Sequence, residues 1–263
     1  MTPPIDRESE LLRQVHILYY RTKAQIKAES QNNYLGYLWF LLEPILTTAV
    51  LYFVFGFLLG NRGPEAVLFI LVGILVWQWF SIGFTSGMAG IREKLTLLQS
   101  VRVPKYLFPL VNVLAASWKF IWVFLVLIVL ANGMGFFVNP SYFWLPLPLL
   151  VTLLLIAGLA IPFSIAVAFM PDLTTFVNSI LRLLFFLSGI FFTVEVVPPH
   201  LRDWFLANPI ASLMTAFRAI LIDGQRPDLL SLGYCSLWGL GGLAVGLVWN
   251  RLAEGKIVKS VSQ

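Results

Sequence analysis

The stretch 66-AVLFILVGILVWQWFSIGFTSGM-88 carries no charged side chain from Ala66 to Met88. A helix rises about 1.5 Å per residue and a bilayer's hydrocarbon core is about 30 Å thick, so about 20 such residues make one crossing. Similar runs flank it. Tyr34–Gly60 precedes it, interrupted only by Glu43-Pro44; a run from near Phe108 to Val138 follows, then Phe143–Phe169, Leu173–Val194 and Leu229–Trp249. Pro146, Pro148 and Pro162 predict kinks in the fourth of these six runs. The expected fold is an all-α integral membrane protein whose six transmembrane helices occupy residues 34–250.

Composition points the same way. The chain is 59% hydrophobic and 12% charged, where soluble domains have about 45–50% apolar and about 25% charged residues; mean hydropathy is +0.84. A soluble core of 263 residues cannot hide so much apolar surface, which excludes a soluble enzyme, a disordered chain and a nucleic-acid-binding protein. The net charge of +5 then serves topology and contact with anionic membrane lipids. Arg7, Arg13, Arg21, Lys23 and Lys27 precede the first run, Arg92, Lys94, Arg102 and Lys105 follow the second, and Arg251, Lys256 and Lys259 follow the last. The opposite side holds only Arg62, Arg202, Arg218 and Arg226. Lys and Arg gather on the cytoplasmic side, so both termini, including a tail over 251–263, are expected there.

Residues 1–33 are polar and lack the apolar core of a secretion signal. Leu11, Leu12, Val15, Leu18, Tyr19, Thr22 and Ile26 recur at helical spacing opposite the charges, which suits a helix lying along the membrane surface or a solvated helix against a partner. Between the fifth and sixth runs, 196–224 is broken by Pro198-Pro199 and Asn208-Pro209. Its pieces, Leu201–Ala207 and Ile210–Ile222, are too short to cross separately and read as an external re-entrant helical pair.

No motif supports catalysis. His16 and His200 fall on opposite sides in this topology, so no metal site is expected, and the single Cys235 cannot form an intrachain disulfide. A phosphate-binding loop with its lysine is absent, so this chain binds no ATP and any energy source lies elsewhere. The loop Ile91–Lys105 reads as a short amphipathic helix closed by Pro104, fit either to act as a lever for a soluble partner or to lie in the headgroups.

These residues resemble the membrane subunits of type-2 ABC transporters. Leu35-Gly36 with Trp39 and Pro44 is similar to the signature opening their first span, and Gly73–Phe80 with Trp77 and Trp79, Val103-Pro104, Pro171-Asp172-Leu173, and Asn208-Pro209 followed by Phe217-Arg218 agree in order. The resemblance covers about residues 20–250 and is nearest the polysaccharide exporters of O-antigen, capsule and teichoic acid. It implies a homodimer with two copies of a separate cytoplasmic ATPase that holds ATP and Mg. It implies that Arg92, Glu93, Lys94, Leu97 and Arg102 form the main contact with that ATPase. Asp172 would cap the fifth helix in a second contact, which lacks the family's usual neighbouring basic residue, and the N-terminal helix would flank the ATPase. Pro198, Pro199, Asn208, Pro209 and Arg218 would belong to an external gate within Pro198–Gly224.

The cargo would be a polysaccharide on a lipid diphosphate carrier of the undecaprenyl type. Sugar C–H faces stack on aromatic rings, and 15% of the chain is aromatic. Trp77, Trp79, Trp144 and Trp249 are read as interfacial anchors. Tyr34, Trp39, Phe40, Phe185, Phe186, Phe191 and Phe192 are tunnel candidates, with bilayer-facing packing as the alternative. Arg182, ten residues into the fifth run, is placed on the translocation path, where a guanidinium can hold a diphosphate or an acidic sugar. Lys119 lines the path or snorkels, and Glu43 sits near the inner mouth. The competing readings are export of a small lipid or drug, an ion-coupled secondary transporter, and an intramembrane enzyme. The last two call for inverted repeats or clustered intramembrane acids that the sequence lacks.

Overall fold

The computed structural model describes residues 7–31, 36–51, 53, 63–94 and 103–260, and these contain helices and turns but no strand. The α-helices are α1 (Arg7–Gln31), α2 (Gly36–Leu51), α3 (Pro64–Glu93), α4 (Leu107–Gly133), α5 (Pro146–Phe169), α6 (Leu173–Leu187), α7 (Arg202–Leu206), α8 (Pro209–Leu221) and α9 (Leu229–Ser260). Short 3₁₀ turns stand at Pro140–Trp144, Val194–Val196 and Pro199–Leu201. Four segments are long and apolar enough to cross a membrane: Glu65–Glu93, Leu107–Gly133, Pro140–Phe169 and Leu229–Leu252.

Helix α3 is the hub. Pro64 opens it without wasting an amide hydrogen, since a first-turn N–H has no intrahelical partner. Its Leu68, Val72, Ile74 and Met88 are fully buried, packed with Leu155 and Ile156 of α5 and Leu213 and Phe217 of α8. Helix α9 lies along α5 through glycines. A Cβ on Gly158 would overlap the Gly239 carbonyl, and one on Gly242 would sit 2.5 Å from the Gly158 oxygen. Only bare backbones allow this approach, which is how helices pack in lipid, where apolar area alone gives no drive to associate. Away from α5, Leu230, Leu237, Val245, Val248 and Leu252 of α9 are exposed, a face suited to lipid rather than water.

Helix starts follow local chemistry. Asp228 Oδ1 accepts from Leu230 N at 3.0 Å and its Oδ2 from Ser231 Oγ at 2.6 Å, closing the first turn of α9. Asn208 Oδ1 does the same for Ile210 N at 3.0 Å, with Pro209 at the first helical position of α8.

Three expectations change. The fifth run is helical only over Leu173–Leu187, 15 residues or about 22 Å. It stops because the Ser188 hydroxyl turns back to Leu184 O and Gly189 adopts φ +74°, although the next residues stay apolar. The cap expected of Asp172 is not made: its backbone is already helical (φ −63°, ψ −21°), whereas a capping side chain needs an extended residue to reach the first amides. The Asp172 carbonyl instead accepts from Thr175 N at 3.0 Å. Finally, Ile91, Arg92 and Glu93 do not begin a separate loop helix; they are the last residues of α3, with Ile91 buried. No proline interrupts the run between Met88 and Glu93, so the span simply continues.

Candidate functional site: a polar groove and a buried arginine

Helix α6 has opposite faces. Val177 and Leu181 are buried toward the bundle, while Phe176, Leu183, Phe186 and Leu187 are exposed. Between α6 and α3 runs an open groove of about 640 Å³, with Ser81 and Thr85 on one wall and Asn178, Arg182 and Phe185 on the other. Arg182 is exposed there and donates from Nη2 to Ser179 Oγ at 3.1 Å, within its own helix. Phe185 stands edge-on to Trp77 (5.7 Å), Phe186 (5.2 Å) and Phe191 (5.4 Å), and the first three of these rings line the groove with the guanidinium. A cation, hydroxyls, an amide and rings on one surface suit a ligand that is both polyhydroxylated and anionic.

Lys119 is not brought there. It is half-buried on α4, in a small cleft with Gln78 and Trp79 on another side of α3. The apolar runs mark both cations as candidates for the membrane interior but do not say which flank of α3 each one meets. Glu43 is exposed on α2, with its carbonyl accepting from Thr47 Oγ1 at 2.8 Å. Tyr34 and the side chains of Trp39 and Phe40 lie outside the described residues.

At the other end of α3, Arg92 and Glu93 are exposed and Lys94 is half-exposed. Glu93 Oε2 accepts from Asn112 Nδ2 at 3.3 Å, which ties the end of α3 to α4. Leu97 and Arg102 lie outside the described residues, and Asp172 is exposed in the turn before α6. Helix α1 rests on α4: Tyr106 donates to Gln14 Oε1 at 2.8 Å, and Arg21 stands 5.4 Å over the Phe108 ring.

The residues assigned from sequence to a gate divide. Pro198 and Pro199 are exposed in the turn before α7. Pro209 and Arg218 sit on α8 and Asn208 caps it; this helix is bent 95° from the short helices ahead of it. Arg218 is buried (7% exposed) and fully engaged. Its Nη1 donates to Gly189 O at 2.7 Å, Nη2 to Ile190 O at 2.9 Å and to Phe69 O at 3.0 Å, and Nε to Phe69 O at 3.3 Å. Its Cζ lies 3.4 Å from the centre of the Phe69 ring. A Cβ on Gly73 would fall 2.6 Å from Nη2, so that glycine makes the room. Asn208 Nδ2 reaches the same corner, donating to Ser188 Oγ at 2.9 Å. The sequence assigns no role to Phe69, Ser188 or Gly189, and Gly73 enters only as the start of the block Gly73–Phe80; Ser188-Gly189 inside an apolar run is the available signal.

Beside this corner is a 280 Å³ cavity whose rim carries Glu65, Glu195 and Asp223. The Asp223 carboxyl is held above the usual carboxylate range by burial first, then by the charges of Glu65 and Glu195, with Arg218 pulling the other way.

Known proteins share this chain's pattern along most of its length. Residues 14–222 match the family model described as ABC-2 type transporter. The O-antigen export system permease protein RfbA of Klebsiella pneumoniae is 26% identical over 241 residues, covering 90% of this chain and 92% of that protein. Its namesake from Myxococcus xanthus is 29% identical over 244 residues, 91% of each. The polysialic acid transport protein KpsM of Escherichia coli is 25% identical over 234 residues, 86% of this chain and 89% of that one. With its apolar helices and a family match over most of its residues, the chain belongs to the ABC-2 type transporters, as one of their multi-pass membrane subunits.

Proposed function

We propose that the chain is the permease of an exporter that moves a lipid-linked polysaccharide, carried on an undecaprenyl-type diphosphate, across the bacterial cytoplasmic membrane. The observation that carries the reading is the groove between α3 and α6, with Arg182 beside the Phe185 cluster, in a chain whose near-full-length relatives are named for O-antigen and polysialic acid export.

In this reading two copies pair with their grooves facing a common path, and two copies of a separate ATPase supply the energy with ATP and Mg. α2 and α6 complete six spans with both termini cytoplasmic, and the helices after α6 form the external re-entrant pair. Residues 91–105 and the turn at Asp172 bear on the ATPase. The glycan slides over aromatic faces while Arg182 holds an anionic group, and Tyr34, Trp39, Phe40 and Glu43 line the entry.

The test is genetic. Removing the gene from the cell that makes this protein should abolish one surface polysaccharide and leave its lipid-linked form inside. Unchanged surface polysaccharide, with loss of a small lipid or drug efflux instead, overturns the reading.

A further inference from the structure

The segment after α6 consists of two parts with different mechanics. Ten residues of α8 are buried, among them Leu213, Phe217 and Arg218. The turns Val194–Val196 and Pro199–Leu201 and helix α7 bury none. Val196 is 72% exposed and Trp204 80%.

Polar contacts divide the same way. Arg218 joins α8 to the α3 carbonyl of Phe69 and to the carbonyls of Gly189 and Ile190, while Asn208 joins it to Ser188. Helix α8, the end of α6 and the start of α3 are therefore one frame. Over 193–205 the side-chain hydrogen bonds stay inside the segment. Thr193 Oγ1 donates to Glu195 Oε2 at 3.0 Å, and Arg202 donates to Val197 O and Glu195 O, each at 3.0 Å. Ties to the frame gather at its far end, where Ser212 Oγ donates to Leu206 O at 3.3 Å and Tyr234 to Ala207 O at 2.7 Å.

This segment covers the 280 Å³ cavity, with Thr193, Glu195 and Phe205 above it and Glu65, Arg218 and Asp223 on the frame below. Glu195 thus faces two frame carboxylates across the boundary, an arrangement of like charges that favours separation. Packing opposes it: Phe205 lies 5.6 Å from Phe192 and meets Gly189.

The geometry points to a flap: residues 193–206 swing as one unit about Phe191–Phe192 and the 95° bend at Ala207–Asn208, opening the cavity, while α8 stays fixed to α3 and α6. A segment with little buried surface, whose polar contacts are internal except for the Ser212–Leu206 bond at its hinge end, opens at low free-energy cost, whereas a buried, multiply pinned helix opens only with the frame. This divides the gate region of the exporter reading, on which its transport role rests, into a moving part and a fixed one.

Amide hydrogen exchange on the whole chain in lipid nanodiscs tests the division without any substrate. Arg202→Ala, which removes the flap's internal stitch, should raise exchange throughout 193–206 about fivefold or more and leave 209–221 unchanged. A parallel rise in 209–221 would show the two helices opening together and overturn the proposal. A second variant pair, Glu195→Cys with Asp223→Cys, is joined by a reducible bis-thiosulfonate linker in the assembled transporter. Glycan export should stop on linking and return on reduction; full export while linked overturns the flap. Absence of glycan export from the unlinked pair and from the parent chain alike counts against the polysaccharide reading, and the exchange result still decides the flap.

Discussion

Arg218 lies with its Cζ 3.4 Å above the Phe69 ring while its Nη2 holds the Phe69 carbonyl at 3.0 Å, so one helix-α3 residue receives the cation through both its ring and its backbone. Stacking and hydrogen bonding together make the site specific for a planar guanidinium. Arg218→Leu leaves the carbonyls of Gly189 and Ile190 buried without their donor and should cost about 3 kcal/mol or more of stability. Arg218→Lys should recover only part, since an ammonium cannot serve three carbonyls from one plane. Thermal unfolding of the detergent-purified chain reads both.

The α5–α9 contact predicts a contrast between neighbouring glycines. Gly239→Val places atoms against Leu154, where a Cβ alone would already come within 2.8 Å, and should prevent assembly of α9. Gly241 meets nothing within 4 Å, so Gly241→Ala should change stability by less than about 0.5 kcal/mol. Folded yield on size-exclusion chromatography separates the two.

Arg182→Leu should lower glycan export about tenfold or more, the loss of one charge-assisted contact, while leaving membrane insertion and the melting temperature unchanged. The side chain is exposed and bonded only locally to Ser179, so stability does not depend on it. Arg182→Lys should restore part of the export.

Reversing charge at the exposed end of α3, Arg92→Glu with Lys94→Glu, should leave the fold intact and separate ATP hydrolysis from export. Hydrolysis by the purified complex, measured beside export in cells, reports it; normal export would remove these residues from the contact with the ATPase.

Two carboxylates between α8 and α9 should respond to pH with opposite sign. The folded chain holds the Asp223 proton more tightly than the unfolded chain does, so stability falls as pH rises from the usual carboxylate value, about 3.9, to the raised one. Asp223→Asn should therefore flatten that part of the profile and exceed the parent in stability at neutral pH. Asp228 is held low by the Ser231 hydroxyl and the Leu230 amide, so its contribution is present above the usual value and fades as pH falls through the lowered one. Asp228→Ala should lose that contribution at neutral pH. Unfolding followed from pH 3 to 8 measures both.

Apolar run length was enough to place α3, α4, α5 and α9, because lipid imposes one long uncharged segment per crossing. Pro198-Pro199 and Asn208-Pro209 marked the broken region, because proline removes donors wherever it falls. The early end of α6 was hidden, since Phe191, Phe192 and Val194 keep the apolar pattern running past a turn made by one serine and one glycine. Arg218 was visible as a charge but was assigned to an outer loop and gate. Its role depends on Gly73 and Phe69, nearly 150 positions away, and no local spacing encodes that meeting. Arg182 and Lys119 were legible as cations inside apolar runs, and only the packing of α4 and α6 on different sides of α3 puts them in separate clefts.

The most direct test of the transport reading is translocation in proteoliposomes containing this chain, its neighbouring ATPase and a lipid-linked glycan. Glycan should become protected inside vesicles whose ATPase faces outward, only with ATP and Mg, and not with either protein alone. Glycan movement by this chain alone on an ion gradient, or an ATP-hydrolysing complex that moves no glycan, would contradict it.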